Sequence, residues 1–123
     1  MSESAESNVN PHGHGRASDW VERFLAGVPA GGTVLDIACG AGRHLRRALD
    51  RGFSVVALDR DVSGLADLAG RSDVEILAHD LEAEGGLDLP TGCRRFAGVI
   101  VTNYLFRPLL ARLHGLVAPD GVL

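Results

Sequence analysis

At 123 residues, 46% apolar and 23% charged, the chain has the composition of one globular domain, and no apolar run approaches the roughly 20 residues that cross a bilayer. A formal charge of −4 argues against a non-specific grip on nucleic acid, although all 12 cations are arginine. The opening Met1–Asn10 is polar and acidic rather than basic then apolar, so it does not read as a secretory signal, and the cytoplasm is the expected location with no membrane partner.

Residues 1–17 read as a disordered tail, and 18–123 as the domain. In the tail, Pro11-His12-Gly13-His14-Gly15 offers two histidines, at most half of a ligand set, so no metal is expected. Ser18 or Asp19 caps a short helix with Trp20, Val21, Phe24 and Leu25 on one face; Glu22 stands where a capping box needs it if Asp19 is the cap, and Gly27 and Pro29 end the helix. That apolar face is expected to cover the sheet edge. From Thr33 onward short apolar runs alternate with helical ones, the rhythm of βαβ units and of a doubly wound, mostly parallel α/β sheet.

Strand one is Val34–Ile37. Gly42–Asp50 makes a helix that packs Leu45, Ala48 and Leu49 inward, while Arg43, Arg46, Arg47 and Arg51 form its solvated face. Gly52 ends that helix before the strand Phe53–Leu58, with Asp59 at its tip. A helix starting at Asp61 or Ser63 turns Leu65 and Leu68 inward, and Val74–Ala78 forms a third strand leading into His79-Asp80-Leu81. Glu84–Arg95 is rich in turn formers and reads as loop; Phe96–Val101 is nearly all apolar, a strand covered on both faces. A helix over about Pro108–Val117 places Leu109, Leu110, Leu113 and Leu116 or Val117 inward, and Ala118-Pro119-Asp120-Gly121 turns into a fifth strand at Val122-Leu123.

The segment Thr33–His44 carries the chemistry. An apolar strand with an acid, Asp36, turns through Gly40 and Gly42 into a helix, where backbone N–H groups approach a ligand that any Cβ would block. Cys39 fills the turn and Cys93 lies in a loop; the pair fits neither a disulfide framework nor a metal site, and no partner pattern makes Cys39 a nucleophile, so both thiols are expected free. Ligands of open parallel sheets bind at the carboxyl ends of the strands, and three of those ends carry acids: Asp36, Asp59 and Asp80. Asp59 lies about 20 residues beyond the glycine turn, the spacing at which a carboxylate accepts ribose hydroxyls. A dinucleotide site is disfavoured, because Leu45 stands where its fingerprint needs a third glycine and Asp36 would face a pyrophosphate. An acid at this mouth suits a cationic ligand, such as one with a sulfonium and an α-ammonium.

Val34-Leu35-Asp36-Ile37-Ala38-Cys39-Gly40-Ala41-Gly42 resembles the first motif of the class I S-adenosylmethionine-dependent methyltransferases, and Val55-Val56-Ala57-Leu58-Asp59 resembles the second. His79-Asp80-Leu81, Phe96–Asn103 and Leu116–Gly121 resemble the later ones, in order and in register from about Trp20 to Leu123. The resemblance implies a Rossmann-like fold with S-adenosyl-L-methionine as cofactor and a small-molecule methyl acceptor as partner. It implies that Gly40 and Gly42, with Ala38 beside them, pass beneath the methionine part. Asp36 would hold the amino end through water, and Asp59, next to Arg60, would take the ribose hydroxyls. Asp80 would accept the adenine amino group, Leu81 would pack on the ring, and Asn103 would lie near the methyl donor.

The sulfonium is an activated donor, so alignment is most of what such a site supplies; where a base is needed, His44 and Tyr104 are the candidates. Asn103-Tyr104-Leu105 lacks the prolines of the branch that methylates nucleotide bases, which disfavours a nucleic-acid substrate. The family domain has seven strands, and this sequence holds the first five, incomplete at the C-terminus; an uncovered edge at strand four or five makes a homodimer an expectation. Two other functions stay open: a non-catalytic S-adenosylmethionine-binding module, and an NAD-dependent oxidoreductase fragment. The missing third glycine and the absence of any Tyr-x-x-x-Lys argue against the oxidoreductase.

Overall fold

A computed structural model describes residues 19–92, 94–101 and 106–122. The tail at 1–17 with its two histidines, Ser18 as a cap, Cys93, Asn103, Tyr104 and Leu123 lie outside the described residues.

The elements run α1 (Asp19–Ala26), β1 (Thr33–Ile37), α2 (Arg43–Asp50), β2 (Ser54–Asp59), a 3₁₀ segment (Ser63–Leu68), β3 (Val74–Ala78), β4 (Phe96–Val101), α3 (Arg107–Leu110), a second 3₁₀ segment (Leu113–Leu116) and β5 (Val117–Val122). The described strands form one sheet in the order β3-β2-β1-β4-β5, every neighbouring pair parallel. Chain direction across the sheet therefore reverses between β1 and β4, which opens a crevice at their carboxyl ends. This is the doubly wound architecture that the βαβ rhythm implies.

Alternation along the strands sorts the core into two layers. Val34, Val55, Ala57 and Ile100 face Val21, Leu25, Leu45, Ala48, Leu49, Leu65 and Leu68. Leu35, Ile37, Val56, Leu58 and Val99 face Leu81, Leu109, Leu113 and Leu116. Burial on both faces explains why β1, β2 and β4 are almost continuously apolar.

Several elements differ from expectation, each for a physical reason. In α1 the buried face is Val21 and Leu25, one turn apart, while Trp20 is 48% exposed. The helix also covers the middle of the sheet rather than its edge: a Cβ on Gly98 of β4 would lie 3.0 Å from Val28 and 3.1 Å from Phe24. Glu22 forms no part of a capping box that the structure records; its carboxylate accepts from Arg47 Nε at 2.6 Å and Arg51 Nη1 at 3.3 Å, tying α1 to α2. Arg46 likewise donates to both oxygens of Asp67 and to the carbonyls of Ala41 and Gly64. The arginine face of α2 is thus partly solvated, as expected, and also clamps α2 to α1 and to the 3₁₀ segment through Arg46, Arg47 and Arg51.

The helix expected after Asp61 is a 3₁₀ segment, whose three-residue repeat puts Leu65 and Leu68 on one buried stripe. The single helix expected over 108–117 is two short pieces, a four-residue α-helix and a 3₁₀ segment joined through Ala111 and Arg112, both still at right-handed helical angles; Leu109, Leu113 and Leu116 are buried, but Leu110 is 46% exposed. The turn expected at Ala118–Gly121 belongs to β5, which starts at Val117. Its register against β4 shifts between Phe96 and Gly98, an irregularity that accommodates Pro119, which has no N–H to give a ladder.

Candidate functional site

A cavity of about 210 Å3 opens at the carboxyl ends of β1–β3, lined by Ala38, Leu58, Asp59, Arg60, His79, Asp80, Leu81 and Glu82. Five of the residues singled out in the sequence (Ala38, Asp59, Arg60, Asp80 and Leu81) therefore meet in one place, although they come from three different connections. Leu58 and His79 stand in the quoted motifs with no role assigned to them, and Glu82 carries no signal beyond following Asp80 and Leu81.

The parallel ladder fixes this arrangement. Ile37 pairs with Leu58 and Asp59 with Ala78, so the ends of β1, β2 and β3 are level. Ala38 N–H donates to Leu58 O at 2.7 Å and His79 N–H to Asp59 O at 2.9 Å, extending the ladder into the loops that form the walls.

Asp59 is the hub. Its Oδ2 accepts the Gly40 N–H at 2.7 Å, and its Oδ1 accepts the Asp61 N–H at 3.1 Å. The glycine loop is thereby tied to the tip of β2, with Gly40 exposed and open space where its Cβ would project. Gly42 differs. It caps α2 at φ 88°, is buried, and a Cβ there would lie 2.8 Å from Leu65 and 3.1 Å from Leu45. Its backbone angle and its packing under Leu65 each call for glycine. Ala38 is the one described non-glycine residue at positive φ, 58°, a conformation costing roughly 1–2 kcal/mol for an L-residue. Strain of this kind on a cavity wall points to a site where backbone direction matters.

Asp36 lies behind the loop, 1% exposed, and neither carboxyl oxygen has a hydrogen-bond partner among the described residues. Burial first, then the charge of Asp59, push its pKa up to about 8; the Leu45 N–H at the start of α2 works the other way without closing a hydrogen bond. A buried carboxyl without a partner is costly, and the cost falls when a cation or donor arrives. Burial, followed by Asp36 and Asp59, pushes the Cys39 thiol up to about 12, which makes it a packing residue rather than a nucleophile.

His44 is 5% exposed in the first turn of α2 and is not among the residues that line the cavity. Burial and then Arg43 lower its pKa, and Arg43 Nη2 donates toward its Nε2 at 3.4 Å. Asp80 Oδ1 accepts the Glu82 N–H at 2.9 Å in an Asx turn, and Leu81 is buried beneath. Among the described residues no group of histidine, cysteine or acid side chains could hold a metal, and no helix is long and apolar enough to cross a membrane.

No protein-family model matches the sequence, and no curated protein matches it. Solved structures do. The 1,6-didemethyltoxoflavin-N1-methyltransferase of Burkholderia thailandensis, with bound 1,6-didemethyltoxoflavin and S-adenosylhomocysteine, is 26% identical at a TM-score of 0.69, over 96% of this chain and 51% of its own. The glycopeptide N-methyltransferase MtfA with S-adenosylhomocysteine is 23% identical at 0.65, over 96% and 54%. The ribosomal protein L11 methylase of Lactobacillus delbrueckii subsp. bulgaricus is 26% identical at 0.60, over 83% and 53%. The chain spans about half the length of these structures. Its fold is that of the class I S-adenosylmethionine-dependent methyltransferases.

Proposed function

We propose that this chain binds S-adenosyl-L-methionine at the carboxyl ends of β1–β3 as part of a cytoplasmic methyltransferase that acts on a small molecule. One observation carries the reading: Ala38, Asp59 and Asp80, at or just past the carboxyl ends of three neighbouring strands, line one cavity beside an open glycine loop, with the carboxyl of Asp36 buried behind it. The residues suit the cofactor. Asp59 keeps further lone pairs beside the two it gives to backbone N–H groups, as a pair of ribose hydroxyls requires. The partnerless Asp36 carboxyl suits a ligand with a cationic end, and Arg60, Asp80 and Leu81 form the wall where a purine would sit.

When bound, the cofactor supplies a methyl group on a positively charged sulfur, so little covalent chemistry falls to the protein. The protein's part is to hold the donor in line with the acceptor and to keep water away. His44 and Tyr104 remain the candidate bases and Asn103 the candidate neighbour of the methyl group. The small-molecule acceptor is favoured by the likeness to the 1,6-didemethyltoxoflavin-N1-methyltransferase.

The test is a thermal melt of the chain alone, with S-adenosylhomocysteine, and with NAD. Stabilisation by about 2.7 kcal/mol is expected at a hundredfold excess of S-adenosylhomocysteine over its Kd, and none with NAD. Asp59→Ala should weaken that binding by about 1–3 kcal/mol. Equal shifts with both ligands, or none with S-adenosylhomocysteine, would refute the reading.

A further inference from the structure

We propose that His79 is a positioning residue: it pins the 80–86 turn and so sets the wall of the cavity against which the ligand's base is read. The proposal rests on the cofactor reading above. His79 directly follows β3 and lines the cavity, and its ring reaches across the turn so that Nε2–H donates to Gly86 O at 2.6 Å. A carbonyl only accepts, so the proton sits on Nε2 and Nδ1 is left as the second ring nitrogen.

The turn is built to meet the ring. Gly86 is buried, and a Cβ there would lie 2.4 Å from both Asp80 O and Leu81 O, which no side chain tolerates. Gly86 N–H donates to Ala83 O at 2.8 Å and Glu82 N–H to Asp80 Oδ1 at 2.9 Å, so residues 80–86 fold back on themselves. The segment carries Asp80, Leu81 and Glu82 to the cavity, yet lies between β3 and β4 with no helix or strand to hold it. His79 is its link back to the sheet: the backbone N–H is bonded to Asp59 O, and the side chain is bonded to Gly86. A residue anchored at both ends transmits the sheet's rigidity to a loop that has little of its own.

Positioning of this kind predicts a change in selectivity, not only in affinity. The experiment measures Kd for S-adenosylhomocysteine and for its deaminated counterpart, S-inosylhomocysteine, with wild type, His79→Ala, His79→Gln and Gly86→Ala. Hydrogen exchange is followed over 80–86. Wild type should prefer the adenine ligand. His79→Ala should bind it about tenfold more weakly, as expected for the loss of one part-buried hydrogen bond, and lose most of the preference. Its exchange should rise in 80–86 but not in β1 or β2. His79→Gln, whose amide donor sits near the position of Nε2, should recover most of both. Gly86→Ala should copy His79→Ala, because it breaks the same turn from the other side. Should His79→Ala fail to fold, Gly86→Ala and His79→Gln decide the matter between them.

An unchanged preference in His79→Ala and Gly86→Ala, with wild type discriminating, would overturn the role of His79 and leave the cofactor reading standing. Wild type that binds neither ligand would overturn both.

Discussion

Asp36→Asn should reverse the way stability depends on pH, because it removes a proton that the folded chain holds and the unfolded chain releases. Burial and the neighbouring Asp59 push the Asp36 carboxyl from an ordinary 3.8 to about 8, so in the folded chain it is mostly protonated at neutral pH. The unfolded chain ionises it near 4. The contribution of Asp36 to stability is therefore full below pH 3.8, falls as pH rises toward about 8, and is flat beyond that. The slope is about 1.4 kcal/mol per pH unit, so the climb from pH 5 to 7 removes on the order of 3 kcal/mol. Asparagine keeps the shape and has no proton to lose. Urea unfolding of both proteins at pH 5, 6, 7 and 8 reads the effect as a difference, which cancels the exposed acids Asp61 and Asp73, whose depressed pKa values act in the opposite direction. The variant should gain on wild type by about 1.4 kcal/mol per unit up to pH 7 and level off beyond 8. A gap that stays constant within about 0.5 kcal/mol would refute the burial argument. The same group should release a proton when a cationic ligand binds at neutral pH, and titration calorimetry in buffers of different ionisation enthalpy would detect it.

Ala38→Gly should stabilise the chain by about 0.5 kcal/mol, since relief of roughly 1–2 kcal/mol at φ 58° exceeds the roughly 0.5–1 kcal/mol of added chain entropy. A loss of 1 kcal/mol in urea unfolding would count against strain at that position. Gly42→Ala and Gly40→Ala should separate packing from ligand room. The first should cost about 2–3 kcal/mol of stability, because its Cβ meets Leu65 at 2.8 Å. The second should cost about 1 kcal/mol, since it meets only open space at φ 59°. Equal losses would mean that backbone angle alone governs both.

How much was legible in the sequence depended on what each residue answers to. Val74–Ala78 and Phe96–Val101 were read to the residue, because a strand's burial pattern is local and nothing overrides it. Leu110 departs from expectation because one α-helical period does not hold across 108–117, where a short α-helix gives way to a 3₁₀ segment, and Pro119 because a proline that ends most strands is tolerated at an irregular pairing. The acids Asp59 and Asp80 could be placed on the site from their positions at strand ends. The depth of Asp36 could not, since it depends on α2 closing over it. Gly42 was noticed for a reason that turned out to be incomplete, because the neighbour that demands glycine there, Leu65, is 23 residues away and unrelated by any motif. His79 stands in a quoted motif, but its role is not legible there: its partner is a carbonyl, which every residue has, in a stretch whose composition says only that it turns.

The order β3-β2-β1-β4-β5 has an evolutionary consequence. Among the described residues, every wall of the cavity comes from 38–82, on the β1-β2-β3 side of the reversal, and none comes from β4 or β5. Substitutions on the β4–β5 side can therefore accumulate without touching the lining of that cavity, which rests on eight residues between 38 and 82. Under the proposed function, this layout lets the acceptor side of the sheet vary while the donor side is kept.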